Sequence, residues 1–257
     1  MFLSFRVYDR VNDMVIKCIV SYDGTNYYGW QEQPGLSTVQ KVIQDVLCKI
    51  HGGKEISISA SGRTDAQVHA LGQVFHFESN IQMKEEQWKY KLNCMLPKDI
   101  RIKEVTYEND DFHARFSCKS KRYDYYISTD ELNPFVRNYM AIEKRKLDIN
   151  KMKEAASVFI GTHDFTSFTS SKIHEEKSKV RTITQCEVIE HEKHIQLIFI
   201  GDGFLRYQVR TMSQTIIEAG LHHIDINDVI QMLEAKDKHV CRYKADPCGL
   251  YLVEVYY

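Results

Sequence analysis

The chain has 257 residues, of which 43% are hydrophobic, 27% are charged and only four are proline. A chain of this length buries a sizeable core, and its composition excludes collagen-like, coiled-coil, low-complexity and wholly disordered proteins. Lysine and arginine number 34 against 35 for aspartate and glutamate, so the formal net charge is −1. Any affinity for nucleic acid must therefore come from local clusters of positive charge.

The cysteines and the apolar segments predict a soluble cytoplasmic protein. The seven cysteines are scattered along the chain without a Cys-x-x-Cys pair. An odd, scattered set fits a reducing cytoplasm better than a disulfide framework, and it has no zinc spacing. No apolar run approaches the roughly 20 residues of a membrane-spanning helix, so we expect no membrane partner.

The first half of the chain predicts a β-α-β-β-α-β order. Residues 1–13 show no periodicity, which indicates a mobile tail or a true start at Met14. A helix is predicted after Ser37 or Thr38, either of which can cap it, because the apolar residues that follow fall on one face. Gly52 and Gly53 stop this helix. The other predicted elements are strands from about 14 to 22, 56–60, 73–78 and 100–107, and a helix over 85–95. This order is the split βαβ pattern.

The second half repeats the plan without repeating the sequence. The predicted elements are a strand over 121–128, a helix over 150–160, a hairpin of 182–190 with 195–200, helices over about 204–222 and 227–235, and a strand over 249–255. The polar stretch 162–179 predicts a long surface loop. We therefore predict two α/β lobes, 14–108 and 109–257, with a cleft between them in which a site is expected.

The densest polar stretch, residues 60–70, lies between two predicted strands and contains Gly62, Arg63 and Asp65. An acid held beside an arginine stays ionised well below neutral pH, which suits a nucleophile rather than a proton donor. A simple salt bridge in a β-turn explains the local sequence about equally well.

A second stretch combines positive charge with aromatic rings. Four cations lie within eight residues and no acid interrupts them: Arg115, Lys119, Lys121 and Arg122. Phe116 and Tyr123 are interleaved with them. This pattern is typical of a surface that holds a phosphate backbone and an extruded base, although a solvated charged face would also explain the lysines.

One apparent nucleotide-binding motif is a poor match. Gly201 and Gly203 stand between a predicted strand and a predicted helix, as in a dinucleotide-binding loop. The third glycine position holds Arg206, so we do not expect a dinucleotide cofactor.

Motifs in a fixed order along residues 14–257 strongly resemble the tRNA pseudouridine synthase A family. They are Tyr22-Asp-Gly-Thr, Tyr28-Gly-Trp-Gln, Gly62-Arg-Thr-Asp-Ala, Val68-His-Ala, Phe112-His-Ala-Arg-Phe-Ser, Arg122-Tyr, Gly161-Thr-His-Asp-Phe, Gly203-Phe-Leu, Val209-Arg and Gly249-Leu-Tyr-Leu. The resemblance implies the α/β pseudouridine synthase fold, in which two ferredoxin-like lobes share a mixed, mainly antiparallel sheet with a central cleft.

The resemblance also implies an activity and a set of site residues. The reaction is the isomerisation of uridine to pseudouridine in the anticodon stem-loop of tRNA, at positions 38, 39 and 40, by a homodimer without cofactor or metal. Asp65 is implied to be the nucleophile, Arg210 its partner, Tyr123 the face that stacks on the base, and Leu250 a contact of the uracil. Arg63, Arg115, Lys121 and Arg122 are the expected further contacts to RNA.

The sequence departs from this family at four places. Thr211 replaces a common asparagine after the implied partner arginine, and Asp246-Pro247-Cys248 replaces a segment that usually resembles Ala-Pro-Pro. Gln67 stands where the family usually has glycine, and the segment Arg206-Tyr207-Gln208 replaces one that is often rich in histidine and methionine. These departures leave open a divergent paralogue that acts on another RNA uridine, or a tRNA-binding module without catalysis. An aspartate-dependent glycoside hydrolase is weaker, because no second carboxylate accompanies Asp65.

Overall fold

The structure, a computed structural model, describes residues 13–129, 133–169 and 178–257. The predicted tail at residues 1–13 therefore lies, except for Asp13, outside the described residues. Among the described residues, none of the helices combines the length and the apolar character needed to cross a lipid bilayer.

The described residues form five α-helices and one ten-stranded sheet. The helices are α1 Val39–Ile50, α2 Glu85–Met95, α3 Ile149–Ser157, α4 Gln208–Gly220 and α5 Ile226–Ala235. The strands are β1 Met14–Tyr22, β2 Ser59–Ala60, β3 His69–Ser79, β4 Ile100–Glu108, β5 Ser120–Ser128, β6 Ala141–Ile142, β7 Gly161–Asp164, β8 Val180–Glu190, β9 His194–Gly201 and β10 Leu250–Tyr256. The predicted α/β class is confirmed.

The sheet runs through both halves of the chain in the order β4-β1-β3-β10-β5-β9-β8-β7. β10 comes from the carboxyl end of the chain, yet it lies parallel to β3 of the first half and antiparallel to β5 of the second. The other parallel pair joins β5 and β6, so the sheet is mixed and mainly antiparallel. The position of β10 brings the start of β3 close to the middle of β5. The predicted lobe boundary at residues 108 and 109 stays a prediction.

Helix α1 shows how the apolar pattern becomes core. Its N-cap is Thr38, whose hydroxyl accepts a hydrogen bond from the Lys41 N–H at 3.4 Å. Ile43 and Leu47 lie one turn apart on its buried face and are fully buried. Burial of each such side chain stabilises the fold by roughly 1.5–3 kcal/mol. The predicted helix is confirmed, and Thr38 is the one of the two candidate N-cap residues that caps it.

Several predicted elements differ from the structure. The strand predicted over 73–78 begins earlier, in β3, and the helix predicted over 150–160 ends earlier, in α3. The long helix begins at Gln208 rather than at about 204, because Tyr207 adopts a left-handed backbone (φ 66°) that a helix cannot include. The strand predicted over 56–60 is reduced to β2, which pairs with β3 through two residues. The predicted loop over 162–179 contains part of β7, since β7 pairs with β8, and residues 170–177 lie outside the described part.

His69, at the start of β3, connects two loops through its ring. Its buried Nδ1 accepts the Gly24 N–H at 3.0 Å, and its Nε2 lies 2.9 Å from the carbonyl oxygen of Asn138. An acceptor at Nδ1 requires the proton on Nε2, so the ring is neutral. Burial lowers the pKa of His69, and the Asp23 carboxylate at 3.3 Å partly opposes this effect.

We expect the free energy of unfolding to fall as the pH drops below about 6.5, the usual pKa of an unfolded histidine. In this pH range His69 binds a proton in the unfolded chain but not in the folded chain. The loss of stability continues until the pH falls to the lowered pKa of His69 in the folded state. Urea unfolding at a series of pH values measures it. His69→Gln should flatten this part of the profile, whereas His239→Gln, at an exposed histidine, should not. Equal profiles for the wild type and His69→Gln would contradict the prediction.

Candidate active site

Asp65 lies in the loop between β2 and β3, and hydrogen bonds from the first half of the chain hold that loop. The Tyr22 and Thr64 hydroxyls are 2.8 Å apart in the core. The Trp30 N–H donates to the Thr64 carbonyl at 3.1 Å, and the Gln67 N–H donates to the Tyr27 carbonyl at 3.1 Å. The backbone on both sides of Asp65 is therefore fixed, as a preorganised catalytic group requires.

Gln73, a buried residue that the sequence did not single out, also supports the loop of Asp65. Gln73 is fully buried on β3, where its Oε1 accepts the Ser61 hydroxyl at 2.6 Å. Its Nε2 donates to the Gly62 carbonyl at 3.0 Å. A buried glutamine between apolar strand residues is the signal that could have identified it, because buried amides are almost always hydrogen-bonded.

Glycines let a neighbouring loop approach the loop of Asp65 closely. A Cβ atom on Gly24 would lie 2.1 Å from the Val68 carbonyl oxygen, and one on Gly29 would lie 2.6 Å from that of Thr64. Gly29 also has a φ of +86°, which side chains rarely adopt. The position of Asp65 thus depends on the absence of a side chain at Gly24 and Gly29.

Arg210 of α4 reaches Asp65 from the second half of the chain. Its Nη1 is 3.5 Å from Asp65 Oδ2, and its Nε donates to the Ala245 carbonyl at 2.8 Å. The Ala245 N–H donates back to the Arg210 carbonyl at 3.0 Å. Since Arg210 is 8% exposed and held at three atoms, its guanidinium offers Asp65 a fixed positive charge.

The charge partner of Asp65 differs from the one that sequence spacing indicates. Arg63 is exposed, and the positive charges that lower the pKa of Asp65 come from Arg210, Arg206 and Lys244. Burial outweighs them, so the pKa of Asp65 is raised above its ordinary value rather than lowered. The physical reason is that desolvation of a carboxylate costs more than a cation 3.5 Å away restores.

Tyr123 is a buried aromatic residue close to Asp65. Tyr123 is 7% exposed on β5, and its ring packs edge-on against Phe204 with centroids 5.3 Å apart. Burial raises the pKa of Tyr123, and the nearby Asp65 charge adds to this effect, so the phenol stays neutral. Leu250, at the start of the adjacent β10, is 5% exposed. The structure therefore brings Asp65, Arg210 and Tyr123 together.

Side chains on a strand alternate between the faces of the sheet, and this separates the predicted RNA contacts. Lys121 lies on the face of Tyr123, with its Nζ 3.7 Å from the place of a Cβ on Gly62. Arg122 lies on the other face, where it forms two hydrogen bonds with buried Asp124, at 2.8 and 2.9 Å. Arg115 is exposed, with its guanidinium 5.9 Å from the ring of Phe116. Arg122 is thus not brought to the site.

Gln67 has a left-handed backbone (φ 65°) and an exposed side chain two residues after Asp65. This conformation costs a residue with a Cβ about 1–2 kcal/mol, more than the 0.5–1 kcal/mol that glycine loses in chain entropy. We expect Gln67→Gly to raise the free energy of unfolding by about 0.5–1 kcal/mol in urea titrations. Gln67→Ala keeps the Cβ and is the control. An equal gain in both variants would show that the backbone is not the cause.

Comparisons with known proteins identify the family of this chain. A family model described as tRNA pseudouridine synthase matches residues 18–117 and 155–257. A tRNA pseudouridine synthase A of Exiguobacterium is 48% identical over 242 residues, which are 94% of this chain and 97% of that protein. Proteins of the same name from Oceanobacillus iheyensis and Bacillus subtilis are 44% and 42% identical, covering 94% and 95% of this chain and 96% and 99% of theirs. The chain therefore belongs to the tRNA pseudouridine synthase family, and it is an isomerase of that family.

Proposed function

We propose that this chain converts uridine to pseudouridine in the anticodon stem-loop of tRNA, at positions 38, 39 and 40, with Asp65 as the nucleophile. One observation carries the assignment to Asp65: a partly buried carboxylate is paired with buried Arg210 beside the face of Tyr123. Family membership supports the reaction and the substrate class.

The chemistry needs an ionised carboxylate and a fixed base-binding face. The bond from C1′ to N1 of the uridine breaks, the base turns, and a bond from C1′ to C5 forms, while the C5 proton is lost and N1 gains one. We assign to Asp65 the attack on C1′, which forms an ester bond to the sugar as the C1′–N1 bond breaks. That ester bond breaks when C5 of the turned base bonds to C1′, which releases the Asp65 carboxylate. No electrons leave the substrate, so the reaction requires no redox cofactor or nucleotide.

The neighbouring residues have separate roles in this proposal. Burial raises the pKa of Asp65, and the positive charge of Arg210 opposes this rise and so favours the ionised carboxylate. Tyr123 supplies an aromatic face for a base that has left its stack, and Leu250 packs against that base. Arg63, Arg115 and Lys121 contact the RNA backbone, whereas Arg122 is left out because Asp124 already neutralises it.

The test is to map pseudouridine on unmodified tRNA transcripts by carbodiimide labelling and primer extension after incubation with the purified protein. Product in the anticodon stem-loop at positions 38, 39 or 40 supports the proposal. Product at another uridine would show that the chain is a divergent paralogue that modifies a different position of the RNA. Binding without product on any tRNA would show an inactive binding module.

We also propose that the protein acts as a cytoplasmic homodimer. The cysteines of the described residues are all free thiols, which suits a reducing compartment. In this proposal one tRNA contacts both subunits of the dimer. Size-exclusion chromatography with light scattering tests the dimer, because a monomer has a mass of 30.1 kDa. An active monomer of that mass would refute the dimer.

A further inference from the structure

Tyr207 gathers three cationic side chains around its ring at the edge of the site. The guanidinium carbons of Arg206 and Arg210 lie 4.8 and 5.5 Å from the ring centroid, and Lys244 Nζ lies 4.9 Å from it. Contacts of this kind hold a cation against the ring and leave its outward N–H groups free for an anion. We call these four residues the Tyr207 cluster.

The Tyr207 cluster carries more positive charge than the protein neutralises. Arg210 is paired with Asp65, whereas neither Arg206 nor Lys244 takes part in an ion pair within the described ranges. Both side chains are exposed, in a chain whose total charge is −1. Within the Tyr207 cluster, three cations against the one carboxylate that pairs with them leave an excess of positive charge, which favours an anion from outside.

The backbone fixes the Tyr207 cluster in place. Tyr207 caps α4 in a left-handed conformation (φ 66°), and strain of this kind in a residue other than glycine is typical of binding sites. Arg206 Nη2 donates to the Tyr207 hydroxyl at 2.9 Å, and the Thr169 hydroxyl donates to the Arg206 carbonyl at 3.1 Å. Arg206 is therefore positioned before any ligand arrives.

We propose that the Tyr207 cluster binds one phosphodiester of the RNA substrate, next to the uridine on which Asp65 acts. This inference rests on the proposed function, because a nucleotide at Asp65 brings its own flanking phosphates to the edge of the site. Arg206 supplies paired N–H donors and Lys244 supplies a point charge, and both groups recognise phosphate oxygens. Contacts of this kind set the register of the RNA without reading its sequence.

The test compares the binding of an unmodified tRNA transcript to the wild type and to the double variant Arg206→Gln/Lys244→Gln at several salt concentrations. Each phosphate contact adds to the slope of log affinity against log salt. We expect the double variant to bind about tenfold more weakly at low salt, with a slope smaller by about 1 to 2. Arg206→Lys should keep the slope, and Lys91→Gln, at an exposed lysine on α2, is the matched control.

Replacing one charged phosphate of the RNA by an uncharged methylphosphonate shows which phosphate the Tyr207 cluster contacts. In an anticodon stem-loop RNA, a single methylphosphonate on one side of the target uridine should weaken binding to the wild type but not further weaken binding to the double variant. An unchanged salt slope, or equal weakening of both proteins at each position, overturns the proposal.

Product formation is read separately, so the two proposals can fail independently. If the chain makes no pseudouridine but the slope falls as expected, the isomerase site is refuted and the phosphate site stands. Product with an unchanged slope refutes the phosphate site alone.

Discussion

Asp65→Asn lowers the rate of pseudouridine formation by at least about 10⁴-fold if Asp65 is the nucleophile. The amide keeps the shape of the carboxylate and its neighbours, but it has no anionic oxygen to attack the sugar. Carbodiimide mapping of tRNA after a long incubation measures the residual product. Turnover within tenfold of the wild type would contradict the assignment.

The same variant separates loss of chemistry from loss of fold. Burial raises the pKa of Asp65 in the folded state, so the ionised form costs stability as the pH rises from about 3.8 through the raised pKa. Asp65→Asn removes the charge, while Arg210 keeps its hydrogen bond to Ala245 and its contact with Tyr207. We therefore expect the free energy of unfolding at pH 7 to be unchanged or higher.

A nearby acid provides the control for this variant. Asp246 is exposed and lies two residues after Lys244, so Asp246→Asn also removes a negative charge from this side of the protein. We expect it to retain the rate within a few-fold. If both variants lose activity equally, the local charge balance rather than the nucleophile explains the effect.

Gly24→Ala destabilises the protein by about 2–4 kcal/mol and lowers the rate by about 10²-fold. The new methyl group would lie 2.1 Å from the Val68 oxygen and 2.6 Å from the Val68 carbonyl carbon, so one of the two loops must move. Both contacts are to backbone, which cannot rotate away as a side chain does. Since Val68 belongs to the loop of Asp65, the movement displaces the carboxylate.

Urea unfolding and single-turnover rates measure the two effects of Gly24→Ala. Gly62→Ala is the matched control for stability, because a Cβ there meets only the Lys121 side chain, at 3.6 Å or more. We expect that control to change the free energy of unfolding by less than about 0.5 kcal/mol. Equal losses in both variants would show that close backbone approach is not the cause.

Local patterns were sufficient for most of the helices and strands. The periodicity over 85–95 predicts α2 with both its ends, and the ends of β8 and β9 lie within two residues of their predicted positions. The start of α4 could not be predicted in this way. Residues 204–207 have an apolar and aromatic pattern compatible with a helix, and only the left-handed backbone of Tyr207 excludes them.

The candidate site shows the same division between local and distant information. The motif around Asp65 identifies the acid, but spacing alone indicates Arg63 as its partner because the two residues are neighbours in sequence. The partner in the structure, Arg210, is 145 residues away and arrives through the packing of α4. The face on which Arg122 lies likewise follows from the register of β5 against β9 and β10, which no local pattern specifies.

By itself, the sequence determined the fold class and the family, and it indicated Asp65 as the candidate acid, because periodicity and motifs can be recognised without coordinates. The resemblance already implied Arg210 as the partner of Asp65, but the tertiary structure decided where each charged side chain lies. It placed β10 between β3 and β5, which joined Asp65 to Arg210 and Tyr123. It also assembled Arg206, Tyr207 and Lys244 into one cationic surface. The physical reason is that electrostatic and stacking contacts depend on distance in space, and the sheet brings together residues that the chain keeps far apart.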